Sequence, residues 1–405
     1  MEKKKRHLRI CPWAHYPFFT WLAILLIISC DKEKTLLQTA REVELKITFG
    51  RNLAKDGKLV RNGIPVEIKV MANSPEFDDP DVTGIVNWEL ENSRLDTVFY
   101  HPALRSYVYL YQGVDIGRRR ITINLDNYSA AMEFEVSPVE LVFVSAAGDT
   151  FMMGTNRAGS NPHERPPHPV ILGPYEMSKY EITNLEYFYF LKEAIAQDSI
   201  YFMGGNAIVG YYSRFNEQLC LDLSESLIRK EDLESDIFEP PFANHPVTGV
   251  TWWGAYLFAR HYGLRLPTEA EWEYACKRKT MNAFPNDDGA SLSDYAWYWD
   301  HCNSCDKPEE IGQLRQTDPG LYDIHGNVWE WCFDQYKDNF YADTLTYGRW
   351  PRVNPIGPDT TNIFQRVIRG GGFSSNANAC RSTYRDKLWH NAARDDIGFR
   401  VAKAL

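Results

Sequence analysis

A chain of 405 residues exceeds what one hydrophobic core organises, so two or three domains are expected. Its 44% hydrophobic and 24% charged residues are ordinary for a globular protein. A net charge of −10 gives no basic field to gather nucleic acid, and 12 Trp, 23 Tyr and 21 Phe argue against a helical bundle and for an aromatic-rich, irregular fold.

Residues 1–29 read as a leader. Lys3, Lys4, Lys5, Arg6 and Arg9 precede an apolar run from Phe18 to Ile28, too short to span a bilayer comfortably. The run ends Ile27-Ile28-Ser29-Cys30, which resembles a bacterial lipobox. The small residue before the cysteine admits a signal peptidase. Cys30 would then carry the lipid, and 30–40 would be a polar tether. An ordinary signal peptide or an anchor helix is the other reading. The expected location is the cell envelope, most simply the outer membrane, with membrane contact through the lipid alone. One acyl chain holds only marginally, so several are implied. Six cysteines follow Cys30, and disulfides are permitted beyond the inner membrane.

From Glu42 the pattern has period two. Val43, Leu45, Ile47 and Phe49 alternate with polar residues. The alternation returns at Val66/Ile68/Val70, Val86/Trp88/Leu90, Tyr107/Tyr109/Tyr111, Ile121/Ile123/Leu125 and Met132/Phe134/Val136. Asp56-Gly57 and Asn62-Gly63 supply turns. Half-buried strands at this spacing predict a small all-β sandwich over 41–137, resembling an immunoglobulin-like module, a spacer or binding module with no catalytic constellation.

Ser137-Pro138 opens a second domain, 138–405, with short strands and long loops. Three helices are predicted. Thr183 to Ala196 carries Leu185, Phe188, Leu191 and Ile195 at helical spacing, and Trp252 to Tyr262 carries Ala255, Phe258, Ala259 and Tyr262. Thr268 to Arg278 starts with a capping box, Thr268 and Glu271.

Seven motifs then occur in order: Phe151-Met152-Met153-Gly154; Glu164 with His168; Tyr180-Glu181-Ile182-Thr183-Asn184; His245-Pro246-Val247 through Trp252; Arg265 through Ala275; Gly320 through Trp331; and Arg369-Gly370-Gly371 with Cys380-Arg381-Ser382 and Ile397-Gly398-Phe399-Arg400. Together they resemble the formylglycine-generating-enzyme, or sulfatase-modifying-factor, family over about two-thirds of the chain. The resemblance implies a mixed α+β fold, that family's variant of the C-type-lectin fold. Arg265, Glu269, Glu271, Trp272 and Glu273 are expected to form a buried charge and aromatic network, because buried backbone in a loop-rich fold needs side-chain partners. His163, Glu164 and His168 lie in a proline-rich loop without metal-ligand spacing, so they are read as structural.

The resemblance also implies sites. Members hold calcium in the loop that corresponds to Gly320–Trp331. Carried over, the ligands are the Asp323 and Glu330 carboxylates and the Gly326 and Val328 carbonyls, oxygen donors suited to a hard cation. Active members use oxygen and a cuprous ion held by two cysteines five residues apart to convert a sulfatase cysteine to formylglycine. Here those positions are Ser375 and Cys380. A serine hydroxyl is un-ionised at neutral pH and a poor donor for soft Cu(I), so copper is not expected to bind. Cys332 is the candidate substitute thiol. Trp329, Gly372 and Arg381 are expected around the pocket. Cys302-Asn303-Ser304-Cys305 lacks a second ligand pair for zinc and is read as a local disulfide. The functional expectation is a lipoprotein that binds an envelope protein, peptide or glycan. The alternative is a formylglycine-generating oxidase.

Overall fold

The computed structural model describes parts of 24–125, chiefly its strands, and from 128 onward all but 146–147, 214–215, 236–239, 278–283, 285–290, 303–304, 344–350 and 359–363. Cys30, the tether and the turns at Asp56-Gly57 and Asn62-Gly63 lie outside the described residues.

The period-two segments form two sheets. One runs in the order Ile24–Ile28, Glu44–Phe49, Val66–Asn73, Ser106–Tyr111, Asp96–His101. The other runs Leu59–Val60, Tyr128–Val136, Gly117–Leu125, Asn87–Leu90. Successive strand residues face opposite sides, so the apolar half of each alternation converges. Leu45, Ile47, Ile68, Val70 and Tyr109 from the first sheet share one core with Ile121, Ile123, Phe134 and Val136 from the second. Tyr109 and Phe134 meet edge to face, 5.3 Å between centroids. The strand Asp96–His101 was not legible by alternation; its register comes from antiparallel pairing with Ser106–Tyr111. Ile24–Ile28 also departs from expectation. Residues 1–29 were read as standing outside the fold, yet in the intact chain this segment pairs antiparallel with Glu44–Phe49. A run of Ile and Leu has strong β-propensity and takes an available sheet edge. Cleavage before Cys30 would remove that strand.

Beyond Ser137 strands are short and loops carry much of the core. The three predicted helices are present as Asn184–Ala196, Trp252–His261 and Glu269–Lys277. Each starts where a threonine ends the preceding extended chain. At the third, the Thr268 hydroxyl accepts from Glu271 N–H (3.2 Å) and the Glu271 carboxylate accepts from Thr268 N–H (2.9 Å), a reciprocal cap. The first two helices pack Phe188, Phe190, Phe258 and Tyr262 into one buried cluster, and the third packs Trp272 and Ala275 into another. A four-stranded sheet in the order Asp386–Trp389, Gln365–Arg369, Trp329–Gln335, Ile397–Gly398 connects them. Short elements lacking periodicity escaped the sequence reading, among them the antiparallel pair Ala207–Ser213 and Asn216–Asp222.

The expected charge network exists and is larger than its five residues. Arg369 bonds both Glu269 (2.9 Å) and Glu273 (2.8 Å). Arg385 chelates Glu269, Lys277 bonds Glu273 at 2.6 Å, and Arg265 chelates Glu271. Indoles satisfy buried carbonyls: Trp252 Nε1 donates to the Cys332 carbonyl (2.9 Å) and Trp331 Nε1 to that of Val250 (2.9 Å). This is how a core with little regular ladder keeps its backbone hydrogen-bonded.

His168 is built into the same core. It is 2% exposed, with Nδ1 2.8 Å from the Pro166 carbonyl, and burial lowers its pKa from 6.5 to about 4. An unfolded histidine takes up its proton first. Stability is therefore full above about pH 6.5 and falls toward pH 4, at up to about 1.4 kcal/mol per pH unit. Denaturant titrations across this window should show that slope, and His168→Gln should flatten it. An unchanged slope in the variant would place the pH dependence elsewhere.

Candidate functional site

The candidate site sits where the strand Gln365–Arg369 ends. Glu330 and Arg369 face each other across the antiparallel pair, and Trp329 neighbours Ile397 on the other side. The chain then turns through Gly370 (φ 97°) and Gly371 (φ 75°). A side chain at Gly371 is excluded by space as well as by φ, since its Cβ would lie 2.9 Å from Cys380 Sγ. These glycines bring Ser375 and Cys380 to the same turn.

Ser375 is half-buried. Its hydroxyl accepts from Gly372 N–H at 3.0 Å while its own N–H donates to the Gly372 carbonyl at 2.8 Å. The serine thus closes a local turn, a frequent role for this side chain. Cys380 is fully buried, and its thiol donates to the Asn376 carbonyl at 3.8 Å. Burial pushes that thiol up to about 12, so it is protonated at neutral pH and inert as a nucleophile. Cys332 lies in the buried cluster with Trp272, and burial also raises its pKa. Cys276 is buried too, its sulfur 3.3 Å from His325 Nε2, while His325 Nδ1 meets the Cys380 carbonyl at 2.7 Å. The two positions thus present one hydroxyl, engaged in its own turn, and one buried, protonated thiol.

The residues around this turn are densely partnered. Arg381, expected at a pocket, is 1% exposed. It chelates Glu164 at 2.6 and 2.8 Å and donates to Asn378 and Thr383. It is a structural ion-pair partner. Trp329 is 5% exposed and Gly372 is buried, its notional Cβ 3.3 Å from the Trp329 ring. Glu330, expected as a calcium ligand, is chelated by Arg400 at 2.7 Å through both oxygens and also accepts from Trp272 Nε1. A guanidinium thus faces both Glu330 oxygens. Asp323 stands at a left-handed turn (φ 56°) and accepts from Gly312 N–H at 2.7 Å. Gly326 is required there by close approach, a Cβ lying 2.2 Å from the Trp297 carbonyl.

Glu181 comes into this region from the strand side. It accepts from Asn327 Nδ2 (2.8 Å) and Val328 N–H (3.2 Å). Burial, then the carboxylates of Asp323 and Glu330, push its pKa well up.

Sequence reasoning marked the aromatic stretch 295–301 as able to line a binding surface but did not separate Trp299 from its neighbours. Its backbone N–H donates to the Ser375 carbonyl at 2.9 Å and the residue is 50% exposed. Next to it Trp297 and His301 stack, 4.6 Å between centroids. The aromatic run from Tyr295 to Trp299 was visible in sequence, but only folding shows which ring faces solvent. Cys302 and Cys305 are joined by a disulfide directly after this segment.

The family model for the "Sulfatase-modifying factor enzyme 1-like domain" matches residues 129–405, and the chain belongs to that family. The match begins within the strand Tyr128–Val136, ahead of the boundary at 138 read from sequence. The chain is 30% identical over 276 residues to "Serine/threonine-protein kinase pkn1" of Chlamydia caviae, covering 67% of this chain and 40% of that protein's length. It is 29% identical over 292 residues to the formylglycine-generating enzyme of Streptomyces coelicolor, covering 64% and 85% respectively. Among solved structures it resembles PvdO from Pseudomonas aeruginosa at 22% identity and TM-score 0.48, over 65% of this chain and 94% of that one.

Proposed function

We propose that this protein is an envelope-anchored lipoprotein whose sulfatase-modifying-factor domain binds a protein, peptide or glycan and does not oxidise cysteine. The observation that carries the proposal is the pair Ser375/Cys380. The hydroxyl is engaged in its own turn, and the remaining thiol is buried and protonated. Family membership alone does not fix an activity: relatives sharing this domain bear the names of a kinase and of a formylglycine-generating enzyme. Anchoring is supported by the basic leader, the apolar run and the small residue before Cys30. The exposed Trp299 beside Ser375 supplies an aromatic contact for a bound partner.

The test is incubation of the mature protein with cuprous ion, oxygen and a Cys-x-Pro-x-Arg peptide, read by mass spectrometry. The peptide should emerge unchanged. Conversion of its thiol to an aldehyde would overturn the proposal and establish the oxidase reading.

A further inference from the structure

A second concave site lies on the hairpin formed by Gln365–Arg369 and Asp386–Trp389. Its volume is about 270 Å³, and its walls include Tyr336, Asp338, Phe364, Gln365, Lys387 and Trp389. Phe364 and Trp389 are 52% and 53% exposed, far above the burial of most rings in this chain. Their planes lie within 16° of each other with centroids 6.4 Å apart, so they are offset and present a stepped aromatic platform. The antiparallel register fixes it, placing Gln365 opposite Trp389.

The polar rim is charge-balanced. Lys387 pairs with Asp338 at 3.2 Å, and the neighbouring Lys337 pairs with Asp343 at 2.9 Å. The Tyr336 hydroxyl donates to Asp338 at 3.0 Å, and the Lys387 ammonium lies 4.7 Å from the Tyr336 ring centre. The rim therefore offers donors and acceptors side by side without a net field that would select a charged ligand. A sugar ring has the matching chemistry: an apolar C–H face to lie on an aromatic ring, and equatorial hydroxyls that both donate and accept. An apolar peptide would leave the rim's polar groups unanswered. An anionic ligand would meet a lysine already neutralised.

We propose that this hairpin site binds a neutral oligosaccharide, with one sugar ring on Trp389, the next on Phe364, and hydroxyls bonded by Asp338, Gln365 and Lys387. This rests on the binding-protein reading and names the ligand class. It does not depend on the Ser375 turn, so the peptide-oxidation assay and the sugar assay fail independently.

The experiment titrates the full mature protein with hexamers of β-1,4-linked glucose, β-1,4-linked N-acetylglucosamine and α-linked mannose, and with a sulfated chondroitin hexasaccharide, by calorimetry and tryptophan fluorescence. At least one neutral hexamer should bind and shift the emission. Trp389→Ala and Phe364→Ala should each weaken that binding by about tenfold. Both rings are exposed, so the variants should keep the wild-type thermal midpoint. Phe143→Ala, which removes an exposed ring outside both sites, should leave sugar binding unchanged. Failure of all three neutral hexamers to bind, preference for the sulfated one, or binding indifferent to both platform variants would overturn the proposal.

Discussion

Ser375→Cys is expected to gain retention of cuprous ion against a strong chelator, a gain not expected of the unaltered protein. The substitution places a second sulfur at the turn where Gly371 already brings Cys380 close. Two thiolates make a low-coordinate soft site, whereas a thiol beside a hydroxyl does not. The bound cation would also stabilise both thiolates, so metal uptake should release protons. The Cys380 thiol, which burial pushes up to about 12 in the unaltered chain, would titrate lower once paired with metal. The measurement is stoichiometric copper after dialysis against the chelator, with Ser375→Ala as control. Equal retention by the unaltered protein would show that another donor completes the site. No retention by Ser375→Cys would show that the turn cannot bring the two sulfurs together.

Arg369→Ala should destabilise the domain by about 3–5 kcal/mol, the cost of stranding buried carboxylates. Arg369 is fully buried and bonds Glu269, Glu273, the Tyr341 hydroxyl and the carbonyls of Ser382 and Tyr384. Burial alone would raise the Glu273 pKa; Lys277 and Arg369 outweigh it and hold that carboxyl down at about 2. Without Arg369, Glu273 keeps Lys277 and the Gly154 N–H but loses its second cation, and the two carbonyls lose their donor. Urea denaturation of the two proteins gives the difference directly. The double variant Arg369→Met with Glu273→Gln should cost less than the single one, because the stranded charge is removed along with its partner. A single-variant loss below about 1 kcal/mol would mean the network is wetter than the buried geometry implies.

Much of the fold was legible because its signals are local. Period-two alternation located six strands of the two N-terminal sheets, since a strand's faces are set by adjacent residues. Threonine caps and helical spacing located the three helices to within a residue or two. The exceptions follow the same logic: Asp96–His101 lacks alternation and takes its register from its partner, and Ile24–Ile28 pairs because its residues favour a sheet edge.

By itself, the sequence determined the motif order, the helix caps and the replacement of one cysteine by Ser375, all of which are counted along the chain. Only the tertiary structure decided what each motif residue meets. Arg381 reaches Glu164 across 217 positions, and Arg400 reaches Glu330 across 70, ion pairs that no local signal announces. Tertiary packing likewise left Trp299, Phe364 and Trp389 facing solvent while burying Trp272 and Trp331. The physical reason is that burial and pairing are properties of the space around a side chain. In a fold built from loops, that space is filled by residues remote in sequence, which no local periodicity records.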